Sequence, residues 1–156
     1  MEDRSPVKVY RTLAELAADE GRELGISGWV DITQDRIDTF AEATGDRQWI
    51  HTDPERARAE LGMPTIAHGY LTLSLVPRFF QEIVAVESVK RMINYGANKI
   101  RFTGMVPSGS RLRGRITLSK AVLSPNSLRT ISTVVAECEG AAKPALSAEV
   151  ITLFYE

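Results

Sequence analysis

The chain has 156 residues, 44% of them hydrophobic, and 19 lysines and arginines nearly balance 20 aspartates and glutamates. That is enough apolar material for one ordinary core, so we expect residues 1–156 to form a single domain. The near-neutral charge argues against nucleic acid or an anionic membrane as a partner. The single cysteine, Cys138, cannot form an internal disulfide, and Met1–Pro6 is too polar to begin a signal peptide. A cytoplasmic protein is therefore expected.

The first predicted elements are a short helix and a strand. Thr12 followed by Glu15 is a capping-box pattern, so a helix is predicted to begin there and to end by Gly21. Ser27–Ile32 is then predicted to be a strand.

Two more helices are predicted around a polar segment. Thr33 is a suitable N-cap for the first of them, and Gly45 is a natural stop at its C-terminus. Asp53-Pro54 predicts the start of the second, which Gly62 closes. His51 is therefore predicted to lie in a loop between the two helices.

The longest mostly apolar stretch runs from Tyr70 to Val86 and follows a predicted loop over Met63–Ala67. Pro77 and several polar or charged residues interrupt it, which makes it a poor membrane span. A buried helix is predicted instead.

From Ser88 onward the hydrophobic period changes to two, which is typical of half-buried strands. Turn signals fall at Asn94–Gly96, Pro107–Gly109, Ser124–Ser127 and Gly140–Pro144. They separate four or five strands that can pair antiparallel. One sheet and one apolar helix pack most economically with the sheet around the helix, so the predicted fold class is α+β.

Few residues are available for chemistry. The chain has only two histidines, His51 and His68, and no cluster of cysteine and histidine with zinc-ligand spacing. It also lacks the motifs of serine hydrolases, dinucleotide-binding proteins and phosphate-binding loops. We therefore expect neither a cofactor nor a metal.

Asp46 and His51 are the first candidate pair. They are five positions apart, so a short loop can turn both side chains toward one water molecule, as general acid/base catalysis requires. The alternative is that Asp46 caps local backbone amides and His51 is a surface loop residue. The spacing alone favours this structural alternative.

Gly69, at the start of the apolar helix, is the second candidate. Its backbone N–H can stabilise negative charge on an oxygen atom, with help from the helix dipole. Alternatively, the glycine allows tight packing of the helix start. Ser74 is interpreted as either a core hydroxyl or a substrate contact, and His68 as a capping or core residue rather than the base.

Taken together, these segments resemble the MaoC-like dehydratases, the family that includes (R)-specific enoyl-CoA hydratases. The resemblance covers nearly the whole chain: the block from Gly45-Asp46 to Asp53-Pro54, the segment Ile66-Ala67-His68-Gly69, and the strand region from Asn94 to Arg111. It implies a hot-dog fold, in which an antiparallel sheet wraps a long central helix. It also implies a homodimer that joins two sheets and completes an acyl-CoA site.

The resemblance also assigns roles to individual residues. The family's catalytic aspartate and histidine match Asp46 and His51, its carbonyl-binding amide matches Gly69, and its helix serine matches Ser74. The implied reaction adds water to a trans-2-enoyl thioester of CoA or acyl carrier protein and gives the (R)-3-hydroxyacyl thioester, or runs in reverse. Tyr70 departs from the smaller apolar residue common at this position, which leaves the acyl-chain length open.

Two other functions remain open from the sequence. A hot-dog acyl-CoA thioesterase would direct water onto the carbonyl carbon. A non-catalytic acyl-binding subunit of a heterodimeric dehydratase would not need both Asp46 and His51, so the presence of both argues against it. The alternating basic residues are either a phosphate-binding stripe for CoA or an ordinary solvated sheet face. They are Lys99, Arg101, Arg111, Arg113 and Arg115.

Overall fold

The computed structural model describes residues 6–156, so most of the polar Met1–Pro6 segment lies outside the described residues. The helices are α1 Leu13–Ala17, α2 Gln34–Thr44, α3 Trp49–Thr52, α4 Pro54–Leu61, α5 Gly69–Ser74 and α6 Val76–Ile83. The strands are β1 Lys8–Tyr10, β2 Glu23–Ile26, β3 Val30–Ile32, β4 Val84–Val86, β5 Arg91–Arg101, β6 Ser110–Ser124, β7 Ser127–Cys138 and β8 Leu146–Tyr155.

One antiparallel sheet dominates the molecule. Its strand order is β2-β6-β7-β8-β5, and β3 also pairs with β6. The small strands β1 and β4 form a separate parallel pair. The predicted α+β class with an antiparallel sheet is confirmed.

The inner face of the sheet packs against α5 and α6. Along β6, the buried residues Leu112, Gly114, Ile116 and Leu118 alternate with partly exposed ones. The two layers approach closely at Gly114, where an added Cβ would lie 2.5 Å from the ring of the fully buried Phe79. The missing side chain on β6 therefore makes room for the ring on α6.

The central apolar stretch is two short helices rather than one long one. Pro77 has no N–H to donate and its ring crowds the preceding turn, so the helix is interrupted at Leu75, whose N–H bonds to Thr72 O at 3.3 Å. The helix also ends earlier than predicted. Val84–Val86 leaves it to pair with β1.

Several outward-pointing arginines of the sheet are paired with acids. Glu137 accepts hydrogen bonds from Nε of Arg113 at 2.7 Å and from Nε of Arg115 at 3.1 Å. Arg111 pairs with Glu139. These contacts favour the interpretation of a solvated, ion-paired sheet face over a phosphate-binding stripe.

Two strand predictions were wrong. Only Val30–Ile32 of the predicted strand Ser27–Ile32 is a strand, because the buried Ser27 hydroxyl accepts the N–H of Gly114 at 2.8 Å and takes the place of a strand neighbour. The predicted turn Asn94–Gly96 lies inside β5, where it is only a register shift against β8. In residues 6–156, none of the helices has the length and apolar character needed to cross a bilayer.

We predict that Gly114→Ala lowers the free energy of unfolding by about 1–3 kcal/mol, because the new methyl group displaces the Phe79 ring. Urea denaturation followed by circular dichroism measures the loss. In a Phe79→Leu background the same substitution should cost less, since the ring is gone. An equal cost in both backgrounds would contradict the proposed contact.

Candidate active site

The site begins at the C-terminus of α2. Thr33 caps this helix by accepting the N–H of Arg36 at 3.2 Å, and Gly45 ends it in the left-handed conformation with φ 79°, both as predicted. The chain then turns away at Asp46, which is exposed to solvent. Its Oδ1 accepts the N–H of Gln48 at 3.4 Å, so part of the predicted capping role is present.

His51 lies in the short helix α3, and the prediction of a loop position was wrong. Its N–H bonds to Gln48 O at 3.0 Å, and its side chain is only 7% exposed. Local signals for this turn are weak, because aromatic and β-branched residues are weak helix formers and Pro54 disfavours the helical region for the residue before it.

The loop before α5 holds the His51 ring in place. Ile66 N–H bonds to Ile50 O at 3.0 Å, and Nδ1 of His51 lies 2.6 Å from Ile66 O. A carbonyl oxygen only accepts, so Nδ1 carries the proton and Nε2 carries the lone pair. His51 is therefore held in the tautomer that a general base needs.

His68 packs directly on His51. The two rings stack with centroids 3.8 Å apart and an interplanar angle of 22°, and Phe40 lies on His68 at 4.9 Å. His68 Nε2–H donates to the backbone carbonyl of Asp46 at 2.9 Å. This contact links the loop of Asp46 to the stacked rings.

Asp46, His51 and His68 each bring one polar atom within 4.8 Å of the others. Two groups at this separation can hydrogen-bond the same water molecule, since each bond spans about 2.8 Å. The group is less suited to a metal ion. Ring lone pairs lie in the ring planes, and two nearly parallel planes do not converge on one point at about 2.1 Å from both nitrogens.

The pKa of the His51 imidazole is lowered from its ordinary value of 6.5, chiefly because burial penalises the charged form. The nearby His68 lowers this pKa further, while the hydrogen bond to Ile66 O and the carboxylate of Asp46 oppose the shift. The ring is therefore neutral at neutral pH, with its Nε2 lone pair free to accept a proton.

Gly69 is the first residue of α5, so its N–H has no acceptor within the helix. Its Cα also lies under the ring of Phe102, and an added Cβ would be 2.7 Å from that ring. The alternative of tight packing is thus realised, although the partner is an aromatic ring at the end of β5. Tyr70 is mostly exposed and packs edge-on against Phe102.

His51 and Gly69 line the same cavity of about 410 Å³. Thr72, Phe102 and Met105 also line it, so its wall is largely apolar. Thr72 is buried, and its hydroxyl has no hydrogen-bond partner within the described chain. The cavity therefore places an imidazole, a helix N-terminus and a buried hydroxyl around one space.

Ser74 lies elsewhere. Its hydroxyl donates to Leu71 O at 2.8 Å, one turn back in the helix, and its side chain lines a second groove between α5, α6 and β5. Asp46 thus lies next to His51, and His51 shares a cavity with Gly69, whereas Ser74 faces the groove beside Asn94 and Ala97. Its role as a substrate contact stays a prediction.

Sequence reasoning missed two residues that support the site. Gln34 donates to the carbonyl oxygen of His51 at 2.7 Å and accepts a hydrogen bond from the hydroxyl of Thr65. It therefore ties α2, α3 and the loop before α5 together. The sequence predicts a capping or core role for His68, and the ring is buried, but it also contacts both members of the predicted pair.

An antiparallel sheet packed around central helices is the architecture of the hot-dog fold, and a carboxylate next to a buried imidazole is an arrangement that can carry out acid/base chemistry. Residues 15–139 match the model of the MaoC like domain, and the chain belongs to this family of MaoC-like dehydratases.

A curated relative with a dehydratase name supports this assignment, and a solved structure shares the fold. The chain is 47% identical over 150 residues to 3-hydroxyacyl-thioester dehydratase Z of Mycobacterium tuberculosis, covering 95% of this chain and 99% of that protein. It is 42% identical over 145 residues to nodulation protein N of Rhizobium leguminosarum bv. viciae, covering 91% and 90%. Its fold is similar to that of R-hydratase PhaJ1 from Pseudomonas aeruginosa, with TM-score 0.71, 24% identity, and 92% and 85% of the two chains covered.

We predict that kcat/KM falls along an acid limb with an apparent pKa below 6.5, the ordinary value for histidine. Protonation of His51 removes the Nε2 lone pair, and burial delays that protonation to lower pH. Kinetics across about pH 4.5–8 with a short enoyl thioester measure the limb. Asp46→Asn should move the limb to still lower pH, because the carboxylate favours the imidazolium. An acid limb at or above 6.5 would contradict this picture.

Proposed function

We propose that the chain adds water reversibly to the double bond of a trans-2-enoyl thioester, using Asp46 and His51 as its acid/base pair. The observation that carries the proposal is the buried, neutral His51, held in one tautomer beside Asp46 and lining the cavity that Gly69 also lines. The similarity to a 3-hydroxyacyl-thioester dehydratase supports the same reaction class.

In the hydration direction, His51 Nε2 takes a proton from a water molecule as the water oxygen bonds to the β-carbon. The electron pair of the double bond moves toward the thioester carbonyl, which becomes an enolate. The protonated pair then returns a proton to the α-carbon, and the carbonyl re-forms. A positioned acid/base pair of this kind contributes roughly 10²–10⁴-fold to the rate.

Gly69 supplies the second element of the mechanism. Its free N–H at the start of α5 donates to the developing enolate oxygen, where the aligned peptide dipoles also favour negative charge. One such donor is worth roughly 10²–10³-fold. The Phe102 ring over Gly69 holds water away from one side of this amide, which strengthens its electrostatic effect.

The exposures of the two catalytic side chains suit different tasks. Asp46 is exposed and stays in contact with solvent, so it can orient and exchange water. His51 is buried and remains neutral until it accepts the proton. Asp46 and His51 are neighbours, so we propose that water and proton add to the same face of the substrate. The family resemblance implies the (R)-3-hydroxyacyl product.

The proposed substrate is an acyl thioester of CoA or acyl carrier protein, and the proposed setting is fatty acid metabolism in the cytoplasm. The apolar lining of the cavity by Phe102, Met105 and Val106 suits an acyl chain. We also propose that residues 1–156 act as one domain.

We further propose that the chain works as a homodimer joined along β5. This strand ends the sheet, so one side of it has no strand neighbour within the described residues. It is exposed along almost its whole length, including the apolar side chains Met92, Ile93 and Tyr95. A long exposed edge with apolar side chains readily pairs with another strand. Such pairing would cover the groove that Ser74 lines beside β5.

The central test uses crotonyl-CoA and pure protein. Hydration removes the enoyl absorbance and releases no thiol, so we expect absorbance loss with a constant free-thiol signal in the same tube. Release of thiol would identify the thioesterase alternative. Unchanged absorbance and thiol, for short and long enoyl chains alike, would rule out catalysis on these substrates and favour a non-catalytic subunit.

In the same assay, Asp46→Asn and His51→Ala should each lower kcat by roughly 10²–10⁴-fold while leaving the circular dichroism spectrum unchanged. Asp35→Asn is the matched control, since this exposed carboxylate lies in the first turn of α2. It should keep nearly full activity. Full activity in either site variant would refute the assigned roles.

The dimer is tested by light scattering after gel filtration. The wild-type chain should elute at twice the monomer mass, and Ile93→Glu should shift it toward the monomer by placing a charge in the proposed interface. Leu123→Glu is the matched control, because Leu123 is 50% exposed and Ile93 is 40% exposed. A monomeric wild type, or equal shifts in both variants, would refute the β5 interface.

A further inference from the structure

We propose that His68 is a positioning residue that fixes the distance between Asp46 and His51. The inference rests on the proposed function, because it concerns how that acid/base pair is held. Two contacts of one ring carry it: Nε2–H donates to the Asp46 carbonyl at 2.9 Å, and the ring face stacks on His51 at 3.8 Å.

The loop of Asp46 depends on this hydrogen bond. The other described hydrogen bonds of Asp46 are to the Thr44 hydroxyl and the Gln48 N–H, and both are 3.4 Å long. The bond from His68 is the shortest of the three, and it comes from a buried side chain 22 residues away. An exposed carboxylate just beyond a helix end is therefore anchored through its backbone to the core.

The stack restrains the other member of the pair. Ile66 O holds one edge of the His51 ring, and the flat face of His68 blocks rotation of that ring on one side. Phe40 packs against His68 and keeps it in place. Because one ring contacts both partners, a shift of His68 would move the carboxylate and the imidazole relative to each other.

Packing alone does not account for a histidine at this position. His68 is 3% exposed, and its Nδ1 is buried with no hydrogen-bond partner among residues 6–156. An unsatisfied buried polar atom costs roughly 1–3 kcal/mol, which an apolar ring of similar shape would avoid. The imidazole is therefore retained for what phenylalanine lacks, the Nε2–H donor to Asp46.

Two substitutions separate the donor from the ring. His68→Phe keeps an aromatic face against His51 but cannot donate to Asp46, whereas the Nε2 amide of His68→Gln can still reach that carbonyl. We expect His68→Phe to lower kcat by about 10–100-fold with little change in KM, because small displacements of catalytic groups cost this much. His68→Gln should restore most of the loss. If His68→Phe does not fold, His68→Met is used in its place, because methionine also lacks the donor.

Wild-type kcat in the phenylalanine variant, or equal losses in the phenylalanine and glutamine variants, would overturn the inference. A second measurement does not depend on activity. Long-range ¹H–¹⁵N spectra of the substrate-free protein should show His68 protonated at Nε2 and unprotonated at Nδ1, and the opposite tautomer would also overturn the inference. If wild type shows this tautomer but hydrates no enoyl thioester, the proposed function fails while the hydrogen bond stands.

Discussion

The packing of Phe79 against Gly114 determines how closely the central helices approach the sheet. Any side chain on β6 at this point would push α6 outward, since even a methyl carbon would lie 2.5 Å from the ring. Because α5 precedes α6 with only Leu75 between them, the same packing sets where the N-terminus of α5 emerges. Gly69 therefore contacts the Phe102 ring and lines the cavity together with His51 only because α5 and α6 pack this closely on the sheet.

The site contains one side chain that is exposed to solvent and one that is buried. Asp46 lies in a solvent-exposed loop, and His51 is buried beneath a second histidine, so burial acts on the imidazole while the carboxylate remains hydrated. Differences of environment of this kind allow neighbouring groups to serve as acid and base at one pH. The supporting contacts come from three separate segments: α2 through Gln34, the loop before α5 through Ile66, and α5 through its N-cap His68.

Local signals in the sequence predicted the helix boundaries well, because a cap is satisfied within a few residues. Thr33, Gly45 and the Asp53-Pro54 pair behave as predicted. The failures in the strands involve distant contacts. The break at Ser27 depends on Gly114, 87 residues away, and the supposed turn at Asn94–Gly96 is held in a strand by its pairing with β8. The site follows the same rule. The family motif predicts Asp46, His51 and Gly69 as site residues. No local pattern shows that His68 bonds to Asp46 or that Ser74 faces another groove.

Both histidine tautomers are set by main-chain oxygens, those of Ile66 and Asp46. A side-chain acceptor can be lost in a single substitution, whereas a peptide carbonyl is present whatever residue occupies the position. The protonation pattern of the paired rings is thus encoded by the path of the backbone rather than by the identity of residue 66. Changes at position 66 can reshape the cavity wall while the proton remains on the same nitrogen of His51.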